Sequence, residues 1–124
     1  MIRTYKALVV GIDPVVEDAI ELVIEGFSVR CFVSYSPSKI EVGGTYEVEF
    51  EMLLPDEECV SASEYKKKQI ERIDDGLSCD IYGYLDGEVF RSVVDFADQD
   101  IHYEYPRLNG HFIKVSADRI DVSF

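Results

Sequence analysis

The sequence has no tryptophan, only three cysteines and four prolines, and about half as many bases as acids, 12 against 25. Each shortage excludes something. Cys31, Cys59 and Cys79 are odd in number and irregular in spacing, so they offer neither a disulfide framework nor a zinc pattern. No apolar run approaches the ~18 residues of a membrane span. The opening MIRTYKALVV is stopped at Asp13-Pro14, too soon for a secretory leader, and reads as the first strand of a cytoplasmic protein. The shortage of bases leaves a net charge of −13. That argues against nucleic acid, whose binders carry a basic footprint, and against anionic membrane surfaces.

Catalytic signatures are missing too. Gly43-Gly44 lacks the pattern of a phosphate-cradling loop, and no serine sits in a strand–turn–helix glycine setting. No Cys–His couple can be named. Cys59 follows Asp56, Glu57 and Glu58, whose charge disfavours a thiolate. Paired carboxylates are so abundant that none stands out as an acid/base couple. Nothing calls for a cofactor, and the chain does not read as an enzyme.

What is present is β pattern. In TYEVEFEMLL, Tyr46, Val48, Phe50, Met52 and Leu54 alternate with Thr45, Glu47, Glu49 and Glu51. A period of two marks a strand with one face buried and one wet. Gly43-Gly44 turns the chain in and Pro55 ends the ladder. The 124 residues, 47% of them hydrophobic, fit one domain spanning 1–124 with a core that needs no staples.

Before this strand, residues 4–12 form a first strand. Residues 18–24 and 27–35 pair across Glu25-Gly26. A two-residue turn there sets Ile24 opposite Phe27, Leu22 opposite Val29 and Ile20 opposite Cys31, with Glu21 opposite Arg30 as an outer ion pair. After it, Ser61 and Glu64 have capping-box spacing, which predicts a short helix from about Ala62 to Asp74. Lys66, Lys67 and Lys68 are then a solvated face. Asp86-Gly87 predicts a hairpin of 79–85 with 88–96, with Gly83 opposite Phe90 and Tyr82 opposite Arg91. Asn109-Gly110 predicts another, 101–108 with 111–116, although neither of its faces is cleanly apolar and Pro106 points to an edge. Ile120, Val122 and Phe124 alternate in a last strand.

The expected fold is all-β, or β-rich α+β: an antiparallel barrel of about seven or eight strands with one short helix, or alternatively a β-sandwich. The order of elements resembles the oligonucleotide/oligosaccharide-binding barrel at fold level. That resemblance rests on no motif and carries no functional residue.

Three groups are candidate sites. Glu47, Glu49 and Glu51 form a ridge of like charge, ordinarily a solvated face that discourages edge pairing, or else one wall of a surface for a basic partner. Tyr82, Tyr84 and Arg91 share the outer face of the predicted hairpin. Their residue types are those of binding hot spots, with Arg91 placed over Tyr82, unless another element buries them. Asp98, Asp100 and His102, with Glu104, alternate as a weak metal candidate in a chain with acids enough to produce such runs by chance. His111 reads as a solvated hairpin residue.

The function expected is binding of a macromolecular partner, a basic protein met in the manner of an inhibitor or immunity-type protein and steered by charge. A small-molecule or oligosaccharide module using Tyr82, Tyr84, Tyr103 and Tyr105 is the alternative, favoured if those rings converge on a concavity. A metal-dependent enzyme is the third.

Overall fold

The computed structural model describes residues 3–97 and 101–124. It is almost wholly β, arranged as two sheets over one continuous core. The first sheet contains β1 (Tyr5–Ile12), β2 (Ala19–Ile24), β3 (Phe27–Tyr35), β4 (Thr45–Leu53) and β11 (Arg119–Ser123). They pair in the order β1-β2-β3-β11-β4, and β4 pairs back onto β1, so the sheet closes into a ring. Its pairs are antiparallel except β3 with β11, which run parallel.

The second sheet is built from residues between β4 and β11. It contains β5 (Val60–Ala62), β6 (Gln69–Arg72), β7 (Cys79–Asp86), β8 (Val89–Arg91), β9 (Asp95–Ala97) and β10 (Phe112–Ala117). The order is β5-β10-β7-β8-β9, and β6 pairs with the first half of β7. A single helical turn, α1 (Ile101–Glu104), and a 3-10 turn at Pro106–Leu108 precede β10.

The β2–β3 hairpin has the register its sequence predicts, from Ile24↔Phe27 to Ile20↔Cys31. Glu25 and Gly26 both have positive φ, 51° and 87°, the geometry of the two-residue turn that matches strand twist. The ion pair, however, changes partner. Arg30 bonds Asp13 at 2.8 Å, while Glu21 accepts from the Ser28 hydroxyl. Asp13 also accepts from the amides of Val15 and Val16, so one carboxylate both caps a turn and fixes an arginine. Those amides first, then Arg30, hold its carboxyl down at about 2.

β4 presents Val48, Phe50 and Met52 inward, as its period of two requires. The inner faces of both sheets meet in the core. Ile120 and Val122 of β11 belong to the same buried cluster as Leu22, Ile81, Phe90 and Phe96. The Tyr5 ring lies in this core and its hydroxyl accepts from the Asp95 amide at 2.6 Å, tying the ring to the second sheet. Cys31 and Cys79 are free and buried.

The structure departs from the predicted elements in four places. The count is eleven strands among the described residues rather than seven or eight, and the pairing is not antiparallel throughout. Residues 62–74 form no helix. Val60 and Ile70 pack on the core instead, and their segments satisfy their backbones against β10 and β7. The strand expected over 88–96 is folded into β8 and β9, with Ser92 donating its hydroxyl to the Tyr82 carbonyl at 2.6 Å. Finally, 101–108 is helical rather than extended. Ile101 is buried and its carbonyl accepts from Tyr105 N–H, an i,i+4 bond that a strand cannot make. β10 therefore pairs with β7 and β5, not with 101–108.

Candidate acidic cleft

Among the described residues, a cavity opens where the chain leaves the ring. β4 ends at Leu53, Pro55 blocks further pairing, and residues 54–59 run as an irregular connection into β5. Across from it stands the helical segment 101–107. Between them is a cleft of about 700 Å³. Its walls carry Asp56, Glu57, Glu58 and Glu104 against a single base, Arg107, with Leu54, Val60, Ile101 and Tyr105 as an apolar floor. The three consecutive acids are exposed.

The cleft's titratable groups respond to this field. Burial first, then the carboxylates of Glu104, Asp118, Glu57 and Glu58, raise the Cys59 thiol above its ordinary value. Desolvation and then Glu58 raise Tyr105, whose hydroxyl also accepts from the Cys59 amide. Both groups are neutral at physiological pH, so the cleft offers neither a thiolate nor a phenolate. What it offers is concentrated negative charge beside apolar surface.

The three groups singled out in the sequence lie elsewhere. Glu47, Glu49 and Glu51 share the outer face of β4. Lys6 stands opposite Glu47, Ser123 opposite Glu49 and Asp121 opposite Glu51, and Asp121 bonds Arg119 at 2.7 Å.

Tyr82, Tyr84 and Arg91 do share the outer face of β7 and β8, all half-buried. The turn falls at Gly87-Glu88, one residue later than predicted, which shifts the pairing by two. Faces are preserved and partners change. Arg91 stands opposite Tyr84, not over Tyr82, and it bonds Asp86 at 2.9 Å and Asp95 at 3.1 Å. Gly83 is not opposite Phe90 but diagonal to it, close enough that a Cβ would meet the Phe90 ring at 2.9 Å. Tyr82 packs edge-on against Tyr65, and Tyr84 against Phe112.

Asp98 and Asp100 lie outside the described residues. His102 is on α1, not a strand, with its ring 4.1 Å from that of Tyr103. Among the described residues no group of three or more His, Cys, Asp or Glu side chains is placed to hold a metal.

The tyrosines do not converge. Tyr105 lines the cleft, Tyr82 and Tyr84 lie on the outer face of the second sheet, and Tyr103 is exposed beside His102. The cleft itself was not singled out from sequence. Its signal was present in the span from Lys39 to Lys66, which holds eight acids and no intervening base.

No helix among the described residues is long and apolar enough to cross a membrane. The chain belongs to the family described as "Uncharacterised conserved protein UCP019853", whose model matches residues 3–124. No curated protein and no solved structure matches the chain.

Proposed function

We propose that this member of the family is a cytoplasmic binding protein whose acidic cleft receives a basic protein partner, in the manner of an inhibitor or immunity-type protein. One observation carries the reading: a cleft of about 700 Å³ combines four carboxylates with an apolar floor and one base. Such a surface rewards a partner that brings cationic side chains on an apolar stem. Electrostatic complementarity of this kind raises the association rate and rejects acidic competitors. The raised Cys59 and Tyr105 add no nucleophile, which favours binding over catalysis.

The five-strand ring supports reading the fold as a small barrel of the oligonucleotide/oligosaccharide-binding kind. Its order, with one parallel pair closing it through the last strand, is compatible with that topology. In this reading the second sheet is an enlarged connection between the fourth and fifth barrel strands. The fold analogy does not carry a ligand with it.

The test is capture from native lysate at low and high salt by three tagged forms: wild type, Glu57→Lys with Glu58→Lys, and Glu47→Lys with Glu49→Lys and Glu51→Lys. The proposal predicts a basic protein retained by wild type at low salt, released at high salt, lost by the cleft variant and kept by the ridge variant. Retention by the cleft variant, or indifference to salt, would refute it.

A further inference from the structure

β5 is a sheet edge. It pairs with β10 on one side, through Val60↔Val115, Ser61↔Lys114 and Ala62↔Ile113. On its other side no strand pairs with it among the described residues. The ladder tells which backbone groups are left over. Ser116 N–H donates to the Cys59 carbonyl at 2.8 Å and Ser63 N–H to the Phe112 carbonyl at 3.0 Å. Alternate residues of an antiparallel strand turn their amides to opposite sides. Ser61, Ser63 and the Cys59 carbonyl therefore face β10, while the Cys59 N–H turns to the Tyr105 hydroxyl, and Val60 and Ala62 turn their N–H and C=O groups outward.

This edge adjoins two cavities. The acidic cleft reaches Glu58, Cys59 and Val60 from one side. A shallower depression of about 330 Å³ reaches the same three residues and Ser61 from the face of the sheet, with Lys114 and Ser116 as its far wall. An exposed edge is usually blunted by its shortness or covered by another element, since it templates pairing with a second chain. Here the edge is short, three residues, yet it is bordered by concave surface and by Asp56, Glu57 and Glu58 at its entry.

Resting on the proposed basic partner, we propose that the partner offers an extended segment which adds a strand to β5. Its backbone pairs with the outward groups of Val60 and Ala62. Its alternate basic side chains enter the acidic cleft. Main-chain bonds would supply affinity and the cleft would supply selectivity, as in other strand-addition complexes. Charge decides the occupant: a basic strand meets Asp56, Glu57, Glu58 and Glu104, whereas an acidic one would face them uncompensated.

The probe is a synthetic decapeptide of alternating lysine and valine, titrated into the full chain at low salt. Its control carries the same side chains with N-methylated amides on alternate residues, which keeps the charge and removes the strand-pairing donors. The proposal predicts at least tenfold weaker binding for the methylated peptide. It also predicts slowed amide exchange at Val60 and Ala62 with the unmodified peptide alone. Ala62→Pro, which removes an outward N–H while sparing the bonds to β10, should produce the same tenfold loss. Because the control resides in the peptide, the test stands even if that variant folds poorly. Equal binding of both peptides, weakened equally by Glu57→Lys with Glu58→Lys, would overturn strand addition and leave the acidic cleft standing. Failure of both peptides to bind would overturn both.

Discussion

The ring and the second sheet differ in how they end. The ring has no edge: each of its five strands has two neighbours, and its strands run from five to nine residues. The second sheet has three strands of only three residues, and among the described residues β5 and β9, at its two ends, each pair with one strand alone. A closed sheet satisfies its own backbone and leaves nothing to offer. An open one leaves polar backbone, irregular connections and concavities. The acidic cleft lies at the junction, on the side of the open sheet. The lesson is a division of labour: the ring closes on itself, and the insertion between β4 and β11 carries the open edge and much of the acidic cleft.

That division can be broken most severely at β11. Ile120 is fully buried in the strand that closes the ring between β3 and β4. Ile120→Ala should cost about 2–5 kcal/mol, the range for emptying a core aliphatic site, measured by denaturant unfolding. Equal cooperativity lost from both sheets would show that the ring supports the insertion. In hydrogen exchange, the amides of β2, β3 and β11 should open last and those of β5, β6 and β9 first.

Next in size is Gly83→Ala. A Cβ there would collide with the Arg91 carbonyl oxygen and press on the Phe90 ring, a backbone contact that cannot swing aside. About 1–3 kcal/mol should be lost, as for other overpacked sites. A smaller loss would mean that β8 yields more readily than the ring does.

Asp13 sharpens the comparison through pH. Its folded pKa, about 2, lies below the ordinary 3.8, so its contribution to stability is complete above about pH 4 and is lost as pH falls through about 2. Asp13→Asn should lower Tm at neutral pH and flatten the acid limb of the stability curve between pH 4 and 2. An unchanged acid limb would show that the Val15, Val16 and Arg30 contacts do not hold the carboxylate in solution.

The smallest effect is a gain. Glu25 has φ 51° at the first position of the β2–β3 turn, a region where a side chain is strained. Glu25→Asn should stabilise the ring by up to about 1 kcal/mol, since asparagine tolerates that conformation in such turns.

How much could be read from the sequence follows the same boundary. The β2–β3 register was legible because a two-residue turn and a clean period of two fix every partner at once. β4 was legible for the same reason. The pairing that closes the ring was not, because the parallel contact of β3 with β11 joins residues about ninety positions apart and leaves no local trace. In the second sheet the periodicity is short and ambiguous. Ser61 and Glu64 have helix-start spacing, yet Val60 and Ile70 are drawn to the core as strands. Ile101, Tyr105 and Leu108, at helical spacing, did carry the signal for 101–108 that a period of two could not accommodate.

The candidate sites divide likewise. The acids were visible, but the ridge of Glu47, Glu49 and Glu51 is the part that folds into a regular strand beside Lys6 and Arg119. The acids that line a concavity are Asp56, Glu57 and Glu58, just past the strand, together with Glu104 from a distant segment. Only the fold brings those together.

The most direct measurement is an NMR titration of the isotope-labelled chain with the unmodified lysine–valine decapeptide, following every backbone amide. Shifts should concentrate in 54–62 and 101–107 and diminish as salt is added. Shifts centred on Glu47, Glu49 and Glu51, or spread evenly over the acidic surface, would contradict the proposal.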